Sequence, residues 1–135
     1  MTAMISRVKA TVLAGCAAVA LLSAAAAPAQ AAPQGKVDPG IGFFSVNYGV
    51  GCSYSMTVPV NSSGMVSFYD WKGPGYPPLF VGRAMASGAK AAVTWWPKRE
   101  GVRRLYAVQN GERSAITTVR VTRGYGSGGL CFAYP

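Results

Sequence analysis

Residues able to perform acid–base chemistry are scarce in this sequence of 135 residues. It contains no histidine, the usual general base for a serine or cysteine nucleophile. Hydrolysis by paired carboxylates needs two acidic side chains to converge, but here the acids are spread over predicted strand ends and turns. They are Asp38, Asp70, Glu100 and Glu112. We therefore expect no catalytic site, no bound cofactor and a protein that is not an enzyme.

The cysteines favour a disulfide over a metal site. The chain has three, Cys16, Cys52 and Cys131, and without histidine they cannot complete the ligand set of a zinc ion, so we expect no metal. Cys16 falls in a segment expected to be removed on export, which leaves one pair in an oxidising compartment. The sequence thus predicts a bond between Cys52 and Cys131, worth about 4 to 5 kcal/mol in the chain-entropy treatment.

Aromatic side chains next to basic ones are the remaining groups suited to ligand recognition, because aromatic faces beside cations bind sugar polymers and acidic partners. Trp71 and Tyr76 occupy a proline-rich loop, and Trp96 precedes a basic turn. The alternative, in which these aromatics only cover the core, stays open. The candidate binding surface consists of Trp71, Tyr76, Trp96, Lys98, Arg99, Arg104 and Tyr106.

Basic residues outnumber acidic ones, 13 against 4. Without Arg7 and Lys9, which belong to the expected leader, 11 basic residues remain against 4 acidic ones, a net charge of +7. The local concentration at positions 98–99 and 103–104 is interpreted as the solvated rim of a strand-turn-strand unit, with a specific anion site as the alternative. A basic exported chain suits a cell-wall polymer or another envelope protein as its partner, and export argues against nucleic acid.

The N-terminal residues 1–31 have the pattern of a cleaved signal peptide. Arg7 and Lys9 form a basic start, an apolar run follows over residues 12–27, and the small-residue motif at 29–31 ends the segment. The run is alanine-rich and short for a membrane anchor, so we expect no stable membrane insertion. These features predict a secreted protein.

A lipoprotein anchor is the alternative outcome of export. Residues 13–16 resemble a lipobox, in which Cys16 would become the acylated N-terminus. The hydrophobic run continues beyond Cys16 to the second cleavage motif, which favours removal of the whole segment.

The remaining sequence is typical of an all-β domain. Residues 32–40 are rich in proline and glycine and are predicted to be a flexible lead, so the domain is expected to span residues 41–135. From there, short β-type runs alternate with turns, and no helical periodicity appears. Residues 65–70 and 89–96 alternate apolar and polar side chains, and Asn110-Gly111 is a strong hairpin signal. We predict an antiparallel β-sandwich of about seven short strands.

Several motifs follow one another in a recognisable order. They are Val66-Ser67-Phe68-Tyr69-Asp70, Val81-Gly82, Val93-Thr94-Trp95-Trp96-Pro97, and Gly101 followed by Leu105 and Ala107. In this order they resemble bacterial Ig-like domains, a repeat family of secreted and surface proteins, here as a single copy over residues 50–121. The resemblance implies an Ig-like sandwich and a role in adhesion, spacing or binding, with no particular ligand.

Two functions of different classes follow from these expectations. The favoured one is a secreted, non-catalytic Ig-like module acting in structural or binding interactions at the bacterial cell envelope or outside the cell. The alternative is a secreted small-molecule carrier of Ig-like fold, which a ligand-sized cleft lined by Trp and Phe would favour. A cationic toxin or inhibitor is a weaker alternative, because only the charge suggests it.

Overall fold

The computed structural model describes residues 33–42, 47–127 and 130–133, and these ranges are built from strands without a helix. The predicted signal peptide, residues 1–31, lies outside the described residues. The strands are β1 (Asn47–Gly49), β2 (Tyr54–Pro59), β3 (Met65–Trp71), β4 (Leu79–Met85), β5 (Lys90–Trp95), β6 (Gly101–Gln109), β7 (Glu112–Arg113), β8 (Thr117–Thr122), β9 (Gly124–Ser127) and β10 (Leu130–Ala133). The all-β prediction is confirmed, and nothing among the described residues is a helix that could cross a membrane.

The strands form one large sheet and two small ones. The large sheet has the order β1-β8-β6-β3-β4, with β7 paired to β6, while β2 pairs with β5 and β9 with β10. The named strands pair antiparallel, as predicted, except that β1 runs parallel to β8 with Asn47 opposite Arg120. The β2–β5 pair shares one core with the large sheet, an arrangement consistent with a β-sandwich.

The core is made by side chains that strand alternation turns inward. Val66 and Phe68 on β3 are fully buried, as are Leu105 and Ala107 on β6, because residues two apart share one face of a strand. Trp95 on β5 is the largest fully buried side chain and meets them from the other sheet. The alternation predicted for residues 65–70 is confirmed by the burial of Val66 and Phe68.

Residues 33–39 belong to the folded body, whereas their proline and glycine content predicted a flexible lead. Val37 is 1% exposed and is part of the core. The backbones of Asp38 and Thr57 exchange two hydrogen bonds of 2.8 Å, which tie this segment to β2. The prediction was wrong here because backbone pairing of this kind leaves no side-chain periodicity to detect.

Cys52 and Cys131 form the predicted disulfide, with Cα atoms 5.4 Å apart. Cys52 follows β1 and Cys131 lies on β10, so the bond ties the β9–β10 hairpin to the end of β1. Gly49 permits the approach, because a Cβ at that position would lie 2.6 Å from Sγ of Cys52. A disulfide of this kind indicates an oxidising environment.

Strands β4 and β5 start as a hairpin and then separate. At the turn, Ser87 and Lys90 exchange backbone hydrogen bonds. Farther away, β4 pairs only with β3 and β5 only with β2. A bulge at Val81 also shifts the register of β4 against β3, which redirects the side chains at the start of β4. The separation leaves a cleft between the two sheets.

Candidate binding cleft

The cleft between β4 and β5 has a volume of about 690 Å³. Its walls come from the start of β4 and from the end of β5 with the segment that follows, and its floor comes from β3 and β6. The lining residues are Asp70, Leu79, Phe80, Val81, Thr94, Trp95, Trp96, Lys98, Arg99 and Arg103. Small-ligand sites in proteins occupy roughly 300 to 1,000 Å³ and are mostly apolar with a few placed polar groups. This cleft has that size, but half of its lining residues are polar or charged.

A buried ion pair forms the floor. The side chains of Asp70 and Arg103 are 8% and 5% exposed, and Nε of Arg103 donates to Oδ1 of Asp70 over 2.6 Å. The second carboxylate oxygen, Oδ2, accepts a hydrogen bond of 3.1 Å from Nε1 of Trp95. Both oxygens of the buried carboxylate therefore have partners, as a charge removed from water requires.

Strand alternation explains why these two charged residues point inward. Asp70 follows Phe68 at the two-residue period of β3, and Arg103 precedes Leu105 at the same period on β6. Asp70 lies opposite Leu105 in the sheet, so Arg103 is its diagonal neighbour. The interpretation of residues 103–104 as a solvated rim is therefore wrong for Arg103.

The rim of the cleft is aromatic and basic. Phe80 on β4 and Trp96 just after β5 are 58% and 51% exposed. Lys98 and Arg99 are exposed on the Trp96 side. Together with Arg103 they place three cations around one carboxylate, and that carboxylate is already paired. The surplus of positive charge favours an anionic ligand. Of the predicted surface residues, the cleft unites Trp96, Lys98 and Arg99.

Three other predicted residues form a separate cluster in the loop after β3. Trp71 donates through Nε1 to the carbonyl of Tyr76 over 2.8 Å, and Nζ of Lys72 lies 4.2 Å from the Tyr76 ring centroid. Arg104 donates to the carbonyl of Lys72 over 2.7 Å, with its guanidinium 5.9 Å from the Trp71 ring. Trp71, Tyr76 and Arg104 thus hold the loop together and do not line the cleft.

Tyr106 was expected to point outward but is only 9% exposed. Its ring stacks on Tyr69 with centroids 5.2 Å apart, and the guanidinium of Arg113 covers it at 5.5 Å. Burial raises the pKa of the Tyr106 hydroxyl, Tyr69 raises it further, and Arg113 opposes the rise. With both neighbours in place, Tyr106 offers little surface to a ligand.

The cleft also contains residues that the sequence analysis did not single out for binding: Asp70, Leu79, Phe80 and Arg103. A signal for the two charged residues was present, because each continues an apolar alternation at an inward position. Two opposite charges at inward positions of an all-β domain predict a buried pair. No comparable signal exists for Leu79 and Phe80, whose exposure depends on the separation of β4 from β5.

The chemistry of the cleft is that of recognition by donors, cations and aromatic faces. Its one carboxylate, Asp70, is engaged by Arg103 and Trp95. Among the described residues there is no group of three or more His, Cys, Asp and Glu side chains that could hold a metal ion.

The sequence matches no family profile and no curated protein. Among solved structures, the superoxide reductase (neelaredoxin) from Ignicoccus hospitalis is similar in two forms. One has a TM-score of 0.46 at 14% identity, covering 67% of this chain and 82% of that one, and the other has 0.43 at 13%, covering 67% and 80%. A PKD domain of an M14-like peptidase from a Thermoplasmatales archaeon has a TM-score of 0.36 at 21% identity, covering 68% and 92%.

These similarities correct one prediction and leave another open. The absence of histidine and of converging carboxylates predicted a protein that is not an enzyme, and that prediction is contradicted to the extent that two of the similar structures are of an enzyme. The likeness is too low to assign an activity to this chain. A PKD domain is an Ig-like module, so an Ig-like domain is among the similar structures, although no family match supports the bacterial Ig-like family itself.

Proposed function

We propose that this chain is an exported Ig-like module that binds an acidic saccharide polymer of the cell envelope in the cleft between β4 and β5. The pattern of residues 1–31 and the disulfide between Cys52 and Cys131 support export. The two sheets around one core support the Ig-like sandwich. The observation that carries the proposal is the lining of the cleft, where exposed aromatic rings stand beside three cations.

The aromatic rings supply the surface for the ligand's rings. Trp96 and Phe80 each leave about half of their surface open to solvent, which a packed core would not do with such large side chains. Aromatic faces bind ring-shaped ligands through apolar contact and offer a negative face to electropositive edges. Trp96 would contact a saccharide ring in the cleft, whereas the Phe80 ring packs edge-on against Tyr69 with centroids 5.8 Å apart and lies at the outer edge.

The cations of the cleft account for its expected preference for an acidic polymer. The ion pair between Asp70 and Arg103 is the one salt bridge among the described residues, so Lys98 and Arg99 find no carboxylate within the described protein. Exposed cations of this kind attract anionic polymers over about 30 Å at about 0.01 M salt and over only about 10 Å at about 0.1 M. Binding is therefore expected to be sensitive to ionic strength.

Cosedimentation tests the proposal directly. The protein starting at Ala32 is expected to sediment with isolated cell wall, or with an acidic polysaccharide coupled to beads, and to be released by salt. Trp96→Ala is expected to weaken binding about tenfold, the usual effect of removing a central aromatic contact. Tyr76→Ala is the matched control, because Tyr76 is 53% exposed but lies outside the cleft.

Two results would contradict the proposal. One is an absence of binding to every acidic polymer at low ionic strength. The other is equal weakening by Trp96→Ala and Tyr76→Ala, which would move the binding surface away from the cleft.

The volume of the cleft favours a second candidate function, a carrier of a small acidic molecule. About 690 Å³ lined by Trp95, Trp96 and Phe80 would accommodate one compact ligand. The two functions differ in their dependence on ligand length. A polymer-binding module gains affinity as oligosaccharides lengthen, because successive units repeat the contacts, whereas a carrier binds a single small molecule at least as tightly as any chain.

A further inference from the structure

We propose that Arg103 recognises a carboxylate on the ligand, with Nη1 and Nη2 donating to its two oxygens. The proposal rests on the proposed function and names the chemical group through which the acidic ligand is held. It makes the ligand a uronic acid, meaning a sugar ring that carries a carboxylate, rather than a phosphodiester polymer.

Arg103 has N–H donors that no group of the described protein engages. A guanidinium has five N–H groups, and Asp70 accepts from the one on Nε. Within the described residues, no acceptor bonds to Nη1 or Nη2. The fully buried polar atoms without partners are Gln109 Oε1 and Thr122 Oγ1, so the terminal nitrogens of Arg103 are not sealed inside the protein. They belong to a side chain that is 5% exposed and lines the cleft, and the small exposed part therefore faces the cleft.

The guanidinium of Arg103 is positioned by its contact with Asp70. Asp70 is held by Arg103 on one oxygen and by Trp95 on the other, over 2.6 and 3.1 Å. Trp95 is itself 1% exposed and packed in the core. The bond to Asp70 and the burial of the Arg103 side chain restrict the guanidinium before a ligand arrives, so less conformational freedom is lost on binding.

The terminal nitrogens of Arg103 match the shape of a carboxylate group on a ligand. With Nε engaged, one N–H from each terminal nitrogen points forward in parallel, and this fork matches the two coplanar oxygens of a carboxylate. The carboxylate of Asp70 stands beside the same guanidinium and opposes a dianion such as a phosphate monoester, whereas Lys98 and Arg99 at the rim offset that opposition for a single charge. A phosphodiester also brings a single charge, but it joins two units within a chain, whereas a carboxylate is a terminal group that can enter the cleft end first.

The walls of the cleft indicate which kind of molecule carries the carboxylate. The floor is flanked by Leu79, which lies opposite Asp70 in the sheet, and by Trp96, both about half exposed. A group reaching Arg103 must therefore extend from a body that packs against these apolar side chains. A sugar ring with its carboxylate directed inward meets both requirements.

Isothermal titration calorimetry with an oligogalacturonate tests the assignment at low salt. The wild-type protein is expected to bind the acid and to bind its methyl ester about tenfold more weakly or worse, since the ester removes the charge but keeps the ring. Arg103→Lys preserves the positive charge beside Asp70 but removes the fork, and is expected to lose a similar factor. Arg83→Lys, on the exposed part of β4 outside the cleft, is the matched control.

Asp70→Asn separates a binding role of Arg103 from a structural one. The amide keeps an acceptor for one of the two donors, Arg103 or Trp95, while the opposing charge is gone, so the folded variant is expected to bind the carboxylate ligand severalfold more tightly. If Arg103 served only to neutralise Asp70, the Asp70→Asn/Arg103→Lys double variant would show the same gain; loss of the gain in the double variant assigns the binding to the guanidinium. Circular dichroism of each variant checks that the fold is retained, and the ester comparison needs no variant.

The outcomes distinguish the two proposals. Tight binding of the acid that is unchanged by esterification or by Arg103→Lys would overturn the role of Arg103 and leave the polymer-binding function standing. Failure of the wild-type protein to bind any acidic saccharide would overturn both. Arg103-dependent binding of a teichoic-acid-type phosphodiester, equal to that of the oligogalacturonate, would overturn the choice of a carboxylate.

Discussion

Nε1 of Trp95 donates a hydrogen bond of 3.1 Å to Oδ2 of Asp70, and this bond joins the two sheets. Trp95 belongs to β5 in the small sheet, while Asp70 belongs to β3 in the large one. The other oxygen of Asp70 accepts from Arg103 on β6. One buried carboxylate thus links three strands at the bottom of the cleft, so the stability of the domain and the shape of the cleft depend on the same group.

Replacing Trp95 by Phe is expected to destabilise the domain by about 1 to 3 kcal/mol, because it leaves a buried carboxylate oxygen without a donor. Urea unfolding followed by circular dichroism measures the change. Trp96→Phe is the control, since this neighbour is 51% exposed and such changes usually stay within about 0.5 kcal/mol. Equal losses in the two variants would show that the hydrogen bond to Asp70 contributes nothing measurable.

Loss of the disulfide is expected to cost about 2 to 5 kcal/mol of unfolding free energy, because Cys52 and Cys131 are separated by 79 residues and the reduced chain regains that freedom when unfolded. The comparison is between the chain starting at Ala32 and its Cys131→Ala variant. The double variant with Cys52→Ala should match the single one. Thiol labelling of the unfolded, unreduced chain should find no free cysteine, and two labelled thiols would contradict the bond.

Stability is expected to fall above pH about 10. Burial raises the pKa of the Tyr48 hydroxyl, and Asp38 and Tyr54 raise it further. A free tyrosine ionises near pH 10, so above that value the unfolded chain loses a proton that the folded chain retains, and unfolding becomes more favourable until the folded group ionises as well.

The variant Tyr48→Phe tests the origin of this alkaline loss. It should reduce the decline between pH about 9 and about 11. At neutral pH it should cost about 1 kcal/mol, because the Tyr48 hydroxyl donates to the carbonyl of Gly40 over 3.0 Å. Urea unfolding at each pH gives both values. An unchanged alkaline decline would assign it to other groups.

The turn between β6 and β7 is expected to resist substitution at Gly111. Asn110 and Gly111 have φ angles of 50° and 77°, the left-handed region that a two-residue hairpin requires. Gly111→Ala is expected to cost about 1 to 2 kcal/mol in a denaturant titration. Gly82→Ala is the control, because Gly82 has no positive φ and its added Cβ would lie 3.6 Å from Val93, an ordinary contact. A loss at Gly82 as large as that at Gly111 would contradict the backbone explanation.

The alternation of apolar and polar side chains along the strands predicts the core, and it predicts the inward charged residues as well. Val66 and Phe68 are buried as expected, and the same period continues to Asp70. Arg103 continues the inward series of Leu105 in the same way. Arg103 was interpreted as part of a solvated rim, because charged residues near turns usually are exposed, and Asp70 as an acid at a strand end, yet the alternation already placed both inside with opposite charges.

The position of the cleft could not be predicted from local patterns. It depends on β4 and β5 parting after the hairpin at Ser87 and Lys90, and on the bulge at Val81. Each of these features reflects pairing with a different neighbour, β3 or β2, and not a preference of the strand itself. The sequence identified Trp96, Lys98 and Arg99, but it did not show that Leu79 would line the same space.

The parallel pairing of β1 with β8 also affects how quickly the chain folds. Asn47 meets Arg120 only after the long segment between them has closed into a loop, and such distant contacts slow the search for the native state. An oxidised chain has already closed a loop of similar length through Cys52 and Cys131, so β1 and β8 begin their search near one another. The disulfide therefore shortens the period in which unpaired strand edges are exposed to aggregation.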